Sequence, residues 1–305
     1  MPDYRHDLLF GVQLEPTAPQ AQDVVALAAL SESAGLDLIS LADHPYRADW
    51  LDALTVLATI AARTSKVRMF FNLANLPLRP PAMPARAAAT LDILSDGRFE
   101  LGIGTGGRLL WDSIVAEGGP RRSAGESVEA LQEAVQLMRA LWVPGAPVHF
   151  DGKHYQLRGA TAGPAPAHPI NIWLGAYQPR MLRVVGALAD GWVVSSPFLP
   201  PEGLAAACEI IDRAANEADR APESIRRIYN VEGEFGHPSG FLQGPAELWI
   251  EQLTDLALAQ GISAFMLWRA DAAAIRRFAQ EVAPAVREAV TKERAIIAQT
   301  ATSAG

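Results

Sequence analysis

Short apolar runs alternate with longer amphipathic ones along the chain. Residues 8–14 (LLFGVQL) form an apolar run too short for a helix, so they read as a buried strand. Residues 20–34 have helical spacing and stop at Gly35, a C-cap signal. This two-part unit recurs. Further strands are expected at 36–41, 67–74, 99–103, 170–174, 192–195, 225–231 and 262–267. Helices are expected at 52–64, 81–94, 125–142, 179–188, 201–218, 245–260 and 272–289. The rhythm breaks over about 143–169, a Pro- and Gly-rich stretch. It holds one hairpin-like piece that turns at Asp151-Gly152. The rhythm then resumes, so this is an insertion within one domain spanning 1–290. The Ala/Thr/Ser-containing tail, 291–305, is expected to fray. Eight strand–helix pairs predict an α/β fold: a (β/α)8 TIM barrel with a hairpin-containing insertion between helix 4 and strand 5. A doubly wound sheet would carry a glycine-rich turn after its first strand. Here that turn is Glu15-Pro16-Thr17-Ala18-Pro19, which has no glycine.

Composition narrows the function classes. Of 305 residues, 50% are hydrophobic and 20% charged, a globular balance. Lys plus Arg is 26 and Asp plus Glu is 34, for a net charge of −8. A mildly acidic surface argues against nucleic acid as partner. The single cysteine, Cys208, excludes an intramolecular disulfide and a cysteine metal cluster. The N-terminus is polar and no apolar run reaches membrane-spanning length. The expectation is a cytoplasmic protein with no membrane partner.

In a barrel, chemistry sits where strands end and run into helices. Asp43-His44 after the second strand is the one place there where a carboxylate adjoins an imidazole. The pair reads as a proton or hydrogen-bond donor to a bound ring, or as a capping Asp beside a surface His. Gly104-Thr105-Gly106-Gly107 and Gly175-Ala176-Tyr177-Gln178 are glycine turns at strand ends. Such turns let a backbone approach a ligand closely, and the second leads into a helix N-terminus that favours phosphate. Both can equally be ordinary tight turns. Glu15, Arg79 and Trp111 are weaker candidates for substrate contact. Arg79 can neutralise an anion or sit solvated in a loop, and Trp111 can form a substrate wall or pack a helix. No metal site is expected, since only His44 and His237 are placed to help a metal. No Gly-x-Ser-x-Gly elbow occurs.

Four blocks in order resemble the bacterial luciferase-like family of flavin-type oxidoreductases. The most specific runs from Thr90 through Ser95-Asp96-Gly97-Arg98 to Leu101-Gly102-Ile103-Gly104. The others are Phe150-Asp151-Gly152-Lys153-His154-Tyr155, then 169–177 with Ala189-Asp190-Gly191-Trp192, then Gly244-Pro245 with Gly261-Ile262 and 278–287. The resemblance implies a barrel, usually a homodimer, that holds reduced FMN or the deazaflavin coenzyme F420. It implies that Asn72 falls in a bulge behind the cofactor ring and that Gly104, Thr105 and Gly106 line the cofactor. It further implies that Gly175, Ala176, Tyr177 and Gln178 form the phosphate turn, that Asp43 contacts the cofactor, and that His44 is the active-site histidine. Tyr46, Trp50 or neither is that histidine's aromatic partner. Two positions depart from the family. Gly107 stands where F420-dependent glucose-6-phosphate dehydrogenases carry a glutamate proposed as a general acid, and Tyr177 replaces one glycine of the phosphate turn. The expected function is transfer of hydride or oxygen between reduced F420 or FMN and a small organic substrate. An FMN-dependent enzyme would draw on a partner flavin reductase. A non-catalytic flavin-binding barrel and a metal-dependent hydrolase are the alternatives.

Overall fold

The computed structural model describes residues 3–107 and 110–303. The strands are β1 (Leu9–Leu14), β2 (Leu38–Leu41), β3 (Arg68–Phe71), β4 (Phe99–Gly104), β5 (Ile172–Gly175), β6 (Gly191–Ser195), β7 (Arg226–Val231) and β8 (Ala264–Trp268). They pair in parallel in the order β3-β2-β1-β8-β7-β6-β5-β4, and β4 returns to β3 to close the barrel. Helices α1 (Ala21–Ala34), α2 (Ala53–Arg63), α3 (Ala82–Leu94), α4 (Ala124–Leu141), α5 (Pro179–Leu188), α6 (Pro201–Glu217) and α7 (Ala246–Gln260) follow the first seven strands. The last helix, α8, runs as Ala272–Arg277, a π-helical turn Phe278–Val282, and Ala283–Ser303. Most element ends lie within two residues of expectation. The insertion holds the hairpin, Val148–Asp151 antiparallel to Gln156–Ala160.

Period-two alternation sorts the strand residues into two cores. One set packs outward against the helices. The other fills the barrel, where Leu38, Phe70, Trp173, Val193, Ile228, Ala264 and Met266 form a separate buried cluster. Bulky rings inside demand small neighbours. A Cβ on Gly191 would lie 2.5 Å from the Trp173 ring, so glycine stands there.

The end of the barrel where strands begin is sealed by charge. Asp92 and Glu100 are fully buried. His168, from the insertion's last turn, places Nδ1 2.7 Å from Asp92 and Nε2 3.4 Å from Glu100. Arg68 pairs with Glu100, and the Asn171 amide donates to it at 2.7 Å. Buried carboxylates need such partners. The opposite end is left for a ligand.

Three segments differ from expectation. The strand expected over 67–74 stops at Phe71; a cis peptide joins Asn72 to Leu73, and Ala74–Asn75 then pairs briefly with β4. A short helix, Trp111–Ala116, precedes α4. The tail expected to fray continues the last helix through Ser303; 304–305 lie outside the described residues. Its Lys, Glu, Arg and Ala residues are good helix formers. Arg294 also anchors it, donating to Asp3 at 2.6 and 2.7 Å and to the His6 carbonyl at 3.1 Å. Among the described residues, no helix is long and apolar enough to cross a membrane.

Candidate active site

A cavity of about 850 Å³ opens at the C-terminal ends of the strands. That volume suits a tricyclic ring plus a small molecule. Glu15, Asp43, His44, Asn72, Gly104, Thr105, Gly106, Trp111, Gly175, Ala176, Tyr177 and Gln178 all line it. Arg79 does not. Its guanidinium grips the buried Asp43 carboxylate in two bonds, of 2.7 and 2.9 Å, and reaches Asp52 at 2.5 Å. A bidentate arginine is geometrically committed, so the guanidinium of Arg79, expected to meet substrate, is engaged with Asp43 and Asp52 instead of lining the cavity. Asp43 in turn accepts from the Asn75 amide at 2.9 Å. Its carboxylate holds the loop after β3.

The cavity floor comes from that loop. Leu73 projects towards β4 and β5: a Cβ on Gly104 would lie 3.5 Å from its side chain, and one on Gly175 only 2.1 Å away. Beneath it the side chains of Asn72 and Asn230 exchange amide hydrogen bonds of 2.7 and 3.2 Å. Ser40 and Ser195 extend the pair on either side, at 3.1 and 2.8 Å. Reading the sequence by strand ends missed Asn230. Alternation in β7 was the available signal, because Ile228 faces the barrel and so does every second residue along the strand.

His44 stands in an aromatic corner, 4.9 Å from the Trp50 ring and 5.5 Å from the Tyr46 ring. Both residues left open as partners thus lie beside it. The Tyr46 hydroxyl lies 2.6 Å from His44 Nδ1. Burial lowers the imidazole's proton affinity below its ordinary value, against the opposing charge of Asp43. Burial also pushes the Tyr46 phenol up to about 12, so it keeps its proton. A protonated phenol can donate to Nδ1 of a neutral imidazole, which then carries its N–H at Nε2.

The phosphate-type end is built from two helix starts. Helix α5 opens at Gln178 with no side-chain cap, which leaves the first-turn amides of Arg180 and Met181 without helical partners. The start of α4 comes alongside: Ser123 and Glu126 cap it reciprocally, and Arg180 packs over Gly125. The turn before α5 is tethered, since the Trp192 indole donates to the Ala176 carbonyl at 2.7 Å. Tyr177 is half exposed and stacks on Phe198 at 6.1 Å. Gly106 and Gly107 have φ of +86° and +58°, in the left-handed region where glycine is strongly favoured. On the far rim, Arg269 stacks on Trp268 with its guanidinium 4.4 Å from the ring centre. Its Nη1 lies 3.2 Å from Glu232 and its Nε 3.6 Å from Glu15. Among the described residues, no group of three or more His, Cys, Asp or Glu is arranged to hold a metal ion.

Comparison with known proteins places this geometry. The F420-dependent glucose-6-phosphate dehydrogenase of Mycolicibacterium smegmatis is 32% identical over 255 residues, 78% of this chain and 73% of that one. The enzyme of that name from Nocardia farcinica is 31% identical over 233 residues, 74% and 68% of the two chains. Among solved structures, an F420-dependent secondary alcohol dehydrogenase in complex with an F420-acetone adduct superposes with a TM-score of 0.81. It is 19% identical and covers 92% of this chain and 99% of that one, a likeness of fold. The luciferase-like monooxygenase family model matches residues 7–232. The chain belongs to the luciferase-like monooxygenase family.

Proposed function

We propose that this protein is an F420-dependent oxidoreductase that moves hydride between the deazaflavin and a small organic substrate. The observation that carries this reading is the 32% identity, over 78% of the chain, to an F420-dependent enzyme. The residues present fit such a cofactor. Gln13 Oε1 and Asn75 Oδ1 are buried on cavity-lining residues and have no hydrogen-bond partner among the described residues. A ring with N–H groups at its edge supplies the missing donors. Leu73 offers the apolar surface that a flat ring needs. The open amides at the start of α5, with Arg180, suit the cofactor's phosphate. Gly104, Thr105 and Gly106 complete the wall.

When bound, F420 supplies a two-electron hydride donor or acceptor. The chain's own contribution is the placement of protons and charge. Tyr46 fixes the tautomer of His44, and His44 Nε2–H is the donor available to a substrate oxygen. Asp43 and Arg79 hold the loop that carries Leu73. The same reading keeps the expectations of a homodimer and a cytoplasmic location.

The test is a titration of the purified protein with F420 and, separately, with FMN, followed by fluorescence quenching. Saturable F420 quenching with much weaker FMN binding is the expected result. Tight FMN binding without F420 binding would replace the proposal with an FMN enzyme that needs a partner reductase. Binding of neither would remove the cofactor reading.

A further inference from the structure

We propose that the mouth of this site selects an uncharged, partly apolar substrate and rejects phosphate and carboxylate compounds. We assign that selectivity to Glu15 and Glu232, which neutralise Arg269. The inference rests on the reading above in one respect: the α5 end of the cavity holds the cofactor's phosphate, which leaves the His44 end for substrate.

At the His44 end the guanidinium of Arg269 is flanked by two carboxylates. Glu15 comes from the end of β1, Glu232 from the end of β7, and Arg269 from the end of β8. The three meet at 3.6 and 3.2 Å, and Glu15 also accepts from the Trp268 indole at 3.3 Å. Both carboxylates are partly buried, so water screens them only in part. The local balance is therefore negative. An incoming phosphate would have to displace a carboxylate from Arg269 and then sit beside it, which like-charge repulsion opposes.

The other cations of the wall do not offset this. Arg47 lies over the Trp50 ring at 4.7 Å, with Asp49 3.8 Å away. Arg180 belongs to the α5 end, where Glu129 stands 3.5 Å from it. What remains around His44 is aromatic: Trp50, Tyr46 and Trp268, all on the cavity wall. Such a wall takes an apolar body, and the His44 N–H takes one oxygen. The substrate class that fits is an alcohol or ketone with no formal charge.

The experiment compares the wild type with the double variant E15Q/E232Q and with Arg269→Ala. Each is titrated calorimetrically with inorganic phosphate and with glucose 6-phosphate, with and without F420. With F420 bound, so that the α5 end is occupied, the wild type is expected to show no saturable binding of either anion. The double variant frees the guanidinium and is expected to gain about 10-fold or more in anion affinity, as removal of adjacent like charge implies. Arg269→Ala is expected to gain nothing, which separates a freed cation from general loosening of the rim. In turnover, the wild type is expected to prefer cyclohexanol to glucose 6-phosphate. Saturable anion binding to the F420-loaded wild type, no gain in the double variant, an equal gain in Arg269→Ala, or a preference for glucose 6-phosphate would each overturn the proposal. Should the double variant not fold, Glu15→Gln alone is held to the same gain. F420 binding is read separately by its own fluorescence. Failure to bind it would strike the cofactor reading, while the gain of the double variant over the wild type and over Arg269→Ala, read without cofactor, would still decide the charge selectivity.

Discussion

His44 shows how little a residue's type says until its neighbours are known. An Asp-His pair at a strand end reads equally as chemistry or as a helix cap. The structure separates the two. Asp43 is committed to Arg79 and the Asn75 amide, while His44 faces the cavity between two aromatic rings. Replacing His44 by Ala is expected to lower turnover by about 100-fold if it moves a proton. F420 affinity, read by fluorescence, is expected to stay within about 3-fold. Unchanged turnover would remove that role. Tyr46→Phe gives the companion result: without the phenol the tautomer of His44 is no longer set, and the pH profile of turnover is expected to shift. The pairing of Arg79 with Asp43 was not legible in the sequence, because thirty-six residues separate them and only the fold brings them together. The same holds for Asn72 and Asn230, separated by 158 positions.

At the scale of elements, the alternation of apolar runs carried most of the information. Strand–helix order and the hairpin insertion were readable because hydrophobic period and glycine or proline stops are local. The break after β3 was not readable from the apolar pattern, since residues 67–74 are apolar almost throughout; only the family resemblance placed a bulge there. Its consequence is measurable. A Cβ on Gly175 would lie 2.1 Å from Leu73, so Gly175→Ala forces Leu73 out of its seat. Turning a side chain costs less than moving β5, so the stability loss is expected to stay near ~2 kcal/mol. Cofactor affinity is expected to fall about 10-fold as the floor is disturbed. Adding Leu73→Ala to Gly175→Ala relieves the clash, so the two effects on urea midpoint are expected to be strongly non-additive. Additive effects would show that the residues do not compete for space.

For the whole molecule, the sign of the pH dependence follows from groups far apart. Burial lowers the proton affinity of His6 and His44 below the ordinary value of 6.5. The unfolded chain then binds protons that the folded one resists, so the stability present above about 6.5 is lost as pH falls through that value. A second loss follows in more acid solution. Burial alone would raise the carboxyls of Asp3, Glu32 and Asp52. Arg294 at Asp3, the amides of 65–67 at Glu32, and Arg79 at Asp52 outweigh it and hold these groups below their ordinary 3.8, 4.5 and 3.8. Their contribution is lost as pH drops below about 4.5. Melting temperature is expected to decline in two stages between pH 7 and 3. A flat profile from 7 to 5 would contradict the first stage.

The amide pair under the cavity has a mechanical side. Strands β3 and β7 lie four places apart whichever way the ring of strands is counted, so Asn72 and Asn230 span its diameter. Joined at 2.7 Å, they act as a strut across the bore. The strut fixes the depth to which any guest can sink. Room for a longer or bulkier guest must then come from the rim loops alone, so a change of substrate during evolution can be made at the rim while the seat below stays in place.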